Sequence, residues 1–232
     1  MSVFAGPNAV ENGLILCLDA ANSKSYPGSG NAWTGLVTSN NGTLGANTTY
    51  SSSGYFTLDA TLSSVIATTG TTYPSTWSEP VSFEIWTYFD SDGTWHNTFH
   101  GGLFSRGSTA GTLGLIRRDS NNSIGMWLRS DAGSFSAAGT ASSNQWTHIV
   151  GTWDGISNLW LYINGTGTTT AYTATGSPDV GVYNLGGMSS TLSGSPGNVM
   201  KGRIALARMY NRVLTSNEVQ QNYNALRGRF GL

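Results

Sequence analysis

The chain has 232 residues, enough for one large domain or two small ones. Only 10 % of them are charged and the net charge is −1, which excludes the basic footprint of a nucleic-acid binder. No apolar run approaches the roughly 20 residues of a membrane span, Met1–Val10 lacks the basic and apolar regions of a secretory signal, and the single cysteine, Cys17, excludes an internal disulfide or a Cys-based zinc site.

Glycine (31 residues) with abundant Ser, Thr and Asn would by itself point to disorder, but 8 Trp, 10 Tyr and 8 Phe supply enough burial to offset chain entropy. Thr, Val, Ile and aromatic residues favour pleated surfaces, while Gly, Asn and Ser supply turns. The expectation is an all-β protein of short strands, with a surface rich in hydroxyl and amide groups.

In chain order, Gly13–Asp19 alternates Leu14, Leu16 and Leu18 against Ile15 and Cys17. Tyr55–Leu58 follows. Ser82–Phe89 sets Phe83, Ile85, Thr87 and Phe89 against Ser82, Glu84, Trp86 and Tyr88. Further strands are expected at Leu103–Ser105, Thr112–Arg117, Ile124–Arg129, Trp146–Trp153, Leu159–Ile163, Val182–Leu185 and Arg203–Tyr210. Asn164-Gly165 after Leu159–Ile163 is a two-residue hairpin signal, because both central positions of that turn need positive φ. No composition break divides these strands, so one domain, 1–232, is expected. One helix closes the chain at about 215–227. Thr215 and Glu218 form a capping box, Val219, Tyr223 and Leu226 recur at helical spacing, and Gly228 sits at the expected C-cap. It should lay Tyr223 and Leu226 on the sandwich as a lid.

Catalytic patterns are missing. Four Glu and eight Asp are scattered, with no pair placed on one strand face for acid/base work. There is no nucleophile elbow, phosphate loop or His-Glu-x-x-His. His148, inside an alternating strand, reads as a structural imidazole, and His96 and His100 sit in a Gly-containing loop unsuited to a helical metal pair. Asp90-Ser-Asp92-Gly93 is the calcium candidate, since carboxylates at alternate loop positions can converge on one ion, although Asp-Gly is also an ordinary hairpin signal. Otherwise no metal or cofactor is expected.

The segments Gly13–Leu36 (GLILCLDAANSKSYPGSGNAWTGL), SFEIWTYF, Gly102–Gly107 (GLFSRG), Gln145–Gly155 (QWTHIVGTWDG), Leu159–Gly165 (LWLYING) and Lys201–Gly231 occur in an order that resembles the laminin-G-like, concanavalin A-like jelly-roll family. The resemblance covers nearly the whole chain and implies an antiparallel two-sheet jelly-roll sandwich with one short C-terminal helix. It makes Trp146, His148, Trp153 and Asn164 fold residues. The first and last segments are similar to a subgroup found in virion structural proteins of tailed bacteriophages, such as fibres, baseplate components and capsid decorations. That similarity implies a protein made in the host cytoplasm without a signal peptide and assembled onto a virion, contacting capsid or tail subunits and copies of itself.

Three functions compete. A non-enzymatic virion subunit fits a chain with only Lys24 and Lys201 and four Glu, because interface cores are depleted of both residue types. Charge is also uneven: one cation and seven acids precede Arg106, and from Arg106 onward there are ten cations and five acids, which would favour head-to-tail self-association if the two fell on opposite faces. A carbohydrate-binding module recognising cell-surface glycan would use aromatic faces beside polar groups. Its candidates are Asp92, Trp95 and His96 in one loop, and Tyr26 and Trp33 near the N-terminus, where packing of the first loop competes. A glycoside hydrolase comes last. The glucanase strand motif Glu-x-Asp-x-x-Glu would begin at Glu84, but Trp86 and Phe89 take the second and third acidic positions. No enzyme is expected.

Overall fold

The computed structural model describes residues 7–69, 72–90, 101–106, 112–118, 123–130, 133–179, 181–187 and 199–232. Strands are numbered in chain order. One antiparallel sheet runs β14 (Thr166–Ala171), β13 (Asn158–Ile163), β12 (Trp146–Trp153), β7 (Val81–Phe89), β16 (Lys201–Tyr210), β5 (Tyr55–Asp59) and β4 (Thr49–Ser51). Strand β1 (Leu14–Asp19) pairs Leu206–Tyr210 of β16, while β5 pairs Lys201–Ile204 of the same strand. The other sheet runs β11 (Gly133–Thr140), β10 (Ser123–Ser130), β9 (Leu113–Arg118), β8 (Gly101–Arg106), β15 (Asn184–Leu185), β6 (Ile66–Thr68), β3 (Gly42–Thr43) and β2 (Ala32–Trp33). The two sheets face each other as a jelly-roll sandwich.

The alternation read along the strands becomes the layering of the sandwich. Leu16 and Leu18 of β1, Phe83, Ile85 and Phe89 of β7, and Ile149 and Trp153 of β12 turn inward. They meet Phe104, Leu113, Leu115, Ile124, Met126 and Leu128 from the opposite sheet. Phe83 and Phe104 cross the core edge to face at 5.1 Å, which joins the two layers. Gly151 of β12 is one place where they approach closely. A Cβ there would stand 2.6 Å from Leu115 and 2.7 Å from Met126, so no larger residue fits without displacing both. The β13–β14 hairpin turns at Asn164 (φ 50°) and Gly165 (φ 83°), the pair of positive angles expected of Asn-Gly.

Two features of the second and third layers, a bulge in β16 and the 3-10 turn after the helix, were not legible in the pattern. Strand β16 carries a bulge between Ile204 and Leu206 in its pairing with β7. The extra residue lets Ile204, Ala207 and Met209 all face the core while Arg203, Arg208 and Tyr210 all face outward. Without it, Arg203 and Arg208 would lie on opposite faces. The third layer is α1 (Ser216–Leu226), capped by Thr215, whose hydroxyl accepts from the Glu218 N–H while the Glu218 carboxylate accepts from the Thr215 N–H. Glu218 also takes two hydrogen bonds from Arg212, at 2.6 and 2.9 Å. As expected, Tyr223 and Leu226 pack on the sandwich. The C-cap expected at Gly228 is corrected: the chain passes from α1 directly into a 3-10 turn over Arg227–Phe230, and the left-handed residue that ends it is Gly231 (φ 74°). The extra turn places Phe230 on the sheet, which a stop at Gly228 would not.

Candidate functional site

The outer face of the sheet containing β7 divides into two halves. The half under α1 is sealed around Glu84, whose side chain is 0 % exposed. Its Oε1 accepts from His148 Nε2 at 3.0 Å and from Arg208 at 3.2 Å. Its Oε2 accepts from Asn222 Nδ2 on α1 at 2.8 Å. The Tyr210 hydroxyl accepts from Asn222 Nδ2 at 3.0 Å and aims its one proton between Glu84 Oε2 (3.2 Å) and the Val10 carbonyl (3.1 Å). Val10 N–H donates back to Asn222 Oδ1 at 2.8 Å, which fastens the N-terminal segment to the helix.

Burial alone would keep Glu84 neutral. The charge of Arg208 and the hydrogen bonds from His148 and Tyr210 outweigh it and bring the carboxyl down to about 2. Arg208 loses from the same burial but is raised by the facing carboxylate, and the Tyr210 hydroxyl is raised by burial and by Glu84. A glutamate beside a histidine has the makings of an acid/base couple, yet both side chains are 0 % exposed. Trp86 roofs the pair, with its ring 4.9 Å from His148, 4.2 Å from Phe230 and 6.0 Å from Tyr223. No substrate reaches this cluster, and its chemistry is that of a closed polar joint between sheet, helix and N-terminal segment.

The half beyond α1 is uncovered. One cross-strand row runs over it from Thr49 to Thr57, Arg203, Tyr88 and Trp146, each paired with the next through the sheet register. Thr49 is exposed and the other four are half-buried. The Arg203 guanidinium carbon lies 4.2 Å from the Tyr88 ring centroid and 5.3 Å from that of Tyr55. Trp146 stands 5.8 Å from Tyr88, 5.6 Å from Tyr55 and 4.7 Å from Phe230, so the 3-10 turn walls one side of the row. Among the described residues, no hydrogen bond or carboxylate meets the Arg203 guanidinium, the Tyr55 and Tyr88 hydroxyls or the Trp146 indole N–H. Three aromatic side chains around a cation, with unused donors, are what a shallow polar ligand needs.

Of the residues singled out in the sequence, Tyr26 and Trp33 lie in the core, 4 % and 0 % exposed. Tyr26 packs edge-on against Phe56 at 4.9 Å and donates to the Gly30 carbonyl, and Trp33 packs against Phe56 at 4.7 Å. Neither presents a ring face to a ligand, so loop packing describes them better than binding. Asp90 is half-buried just past the end of β7. Asp92, Trp95, His96 and His100 lie outside the described residues. No cluster of three or more His, Cys, Asp or Glu side chains able to hold a metal occurs among the described residues. Nor, among them, is any helix long and apolar enough to cross a membrane. The open row went unread in the sequence. Alternation separated Tyr88 from the Phe83–Phe89 set, but nothing local showed that β4, β5, β16, β7 and β12 lie side by side.

A family profile described as the concanavalin A-like lectin/glucanases superfamily matches residues 63–220, and the chain belongs to this family. No curated protein matches it by sequence. Among solved structures, it is similar to the receptor-binding domain of botulinum neurotoxin D, with a TM-score of 0.69 and 15 % identity over 91 % of this chain and 52 % of that one. It is also similar to the Trypanosoma rangeli sialidase solved with sialic acid, with a TM-score of 0.68 and 15 % identity over 99 % of this chain and 35 % of that one. The chain therefore spans about half the length of the toxin domain and about a third of the sialidase. At this identity the likeness is one of fold.

Proposed function

We propose that the protein is a non-enzymatic binding module that holds carbohydrate on the open half of its helix-bearing sheet. The observation that carries this reading is the row Arg203–Tyr88–Trp146 with Tyr55, which is half-buried and aromatic yet has unused donors among the described residues. Apolar ring faces suit the C–H faces of a pyranose, and the free phenol, indole and guanidinium donors suit its hydroxyl oxygens. The sealed state of Glu84 and His148 supports a binding role over a hydrolytic one. A glycan array probed with the full chain should give hits that Trp146→Ala weakens at least tenfold, with no release of reducing ends from any bound polysaccharide. Release of reducing ends, or an array without hits, overturns the reading.

The scarcity of Lys and Glu favours a second role beside the first, as a subunit of a tailed-bacteriophage virion contacting capsid or tail proteins and copies of itself. Mass spectrometry of purified particles should find the chain in fixed stoichiometry. Its absence from particles produced while it is expressed ends this role.

A further inference from the structure

We propose that the open row selects acidic sugars, with Arg203 as the partner of a carboxylate on a hexuronic or sialic acid residue. This rests on the reading of the row as the carbohydrate site and adds the chemical class that the site prefers.

Among the described residues, the chain pairs each of its other sheltered arginines with oxygen. Arg106 is fully buried and donates to the carbonyls of Thr72, Tyr73 and Pro74. Arg208 is held by Glu84, Arg212 by Glu218, and Arg229 by Asp19 and the Gly54 carbonyl. Among the buried and half-buried arginines whose side chains are described, Arg203 stands apart because no oxygen meets its guanidinium. Two tyrosine rings shelter it and neither supplies a charge.

Two carboxylates of this sheet are already engaged. Asp59, at the end of β5, accepts from Asn47 and from the backbone and hydroxyl of Thr61, and Asp19 is held by Arg229. A guanidinium stacked on aromatic faces keeps its N–H edge free, and that planar fork matches a carboxylate through two parallel hydrogen bonds. Partial desolvation by the rings strengthens such a pair relative to the same pair in open water. A neutral sugar would leave the cation without a counter-charge. Trp146 and Tyr55 give the pyranose a face to stack on, while Thr49 and Thr57 offer hydroxyls along the row.

The test is calorimetric titration of the full chain with two matched pairs: 3′-sialyllactose against lactose, and trigalacturonate against its carboxyl-reduced form. The expected result is at least tenfold tighter binding of the acidic member of one pair. Arg203→Gln should erase that preference while leaving the neutral member's affinity within threefold. Arg203→Lys should recover only part of it, because an ammonium lacks the planar fork. Equal affinity within both pairs, or a preference that survives Arg203→Gln, overturns the acidic-sugar assignment and leaves the carbohydrate reading in place. A sulfated oligosaccharide bound as tightly as the carboxylate one overturns carboxylate selection in the same way. Failure of all four sugars, together with an empty array, removes the carbohydrate reading and this inference with it.

Discussion

Two halves of one sheet face, built from the same strands, treat their polar residues in opposite ways. Under α1, Glu84 is wholly buried and Arg208 nearly so, and both Glu84 oxygens are paired, although His148 Nδ1 and Trp86 Nε1 are buried without a hydrogen-bond partner among the described residues. Past the end of the helix, Arg203 lies on the same strand and the same face but rests on rings with no hydrogen-bond partner among the described residues. Cover accounts for the difference. A charge sealed from water must be paired within the fold, because an unpaired one costs several kcal/mol. A half-exposed charge is still partly hydrated, so the fold does not have to satisfy it and a ligand can. The covered half therefore carries stability, and the open half keeps donors that the proposed ligand would use.

The largest effect expected from breaking this contrast is on the covered side. Glu84→Gln keeps the shape of the side chain but leaves Arg208 buried without a counter-charge. It should cost about 3–5 kcal/mol and lower Tm by roughly 10 °C for a domain of this size, measured by thermal unfolding at neutral pH. The acid limb tests the same joint. Because the folded carboxyl is lowered to about 2 from an unfolded value near 4.3, its stabilisation is complete above about pH 4.5 and is lost as pH falls through about 2. The variant should flatten that part of the stability profile. An unchanged Tm in Glu84→Gln would show that the covered half does not depend on its ion pair.

Next in size is the residue that joins the two halves. Phe230 stacks 4.2 Å from Trp86 on the covered side and stands 4.7 Å from Trp146 on the open side. It is only half-buried, so Phe230→Ala should cost about 2 kcal/mol, less than the 3–5 of a fully buried phenylalanine. It should also shift tryptophan emission to the red as water reaches Trp86. Smaller again is the start of α1. Thr215→Ala removes the cap on the Glu218 N–H and should cost about 1 kcal/mol.

How much of this was legible depended on the range of the signal. The two alternating sets read in Ser82–Phe89 became the two faces of β7, and Thr215 with Glu218 marked the start of the helix, because each is set by neighbours within a few residues. Strands β11 and β14 gave no signal: Gly133–Thr140 and Thr166–Ala171 are mostly small or polar residues at sheet edges, ordered by pairing more than by burial. The bulge at Ile204–Leu206 is set by what β7 and the helix demand of β16, so the strand's own residues do not announce it. His148 read as a structural imidazole and Glu84 as a lone strand carboxylate, but their pairing spans 64 positions, and the contact from Asn222 on α1 spans 138, so the joint itself was not visible. The open row is assembled from five strands drawn from across the chain. For that reason the aromatic candidates sought near the N-terminus, Tyr26 and Trp33, belong to the core.

The smallest stability effect should come from Arg203 itself, and that smallness is informative. Arg203→Ala removes two cation–π contacts, worth about 0.5–1 kcal/mol each at exposed sites, and gives the tyrosine hydroxyls more water. The net cost should stay under about 1 kcal/mol, a Tm change of no more than about 4 °C. Arg208→Ala on the same strand should cost about 3–5 kcal/mol, because it strands Glu84 in the interior. Two arginines five residues apart would then differ severalfold in what they contribute to folding. A residue that the fold hardly needs, yet shelters between two aromatic rings, is better explained by an external partner than by packing. If Arg203→Ala instead destabilises as much as Arg208→Ala, the open half is structural after all, and the contrast between the two halves disappears.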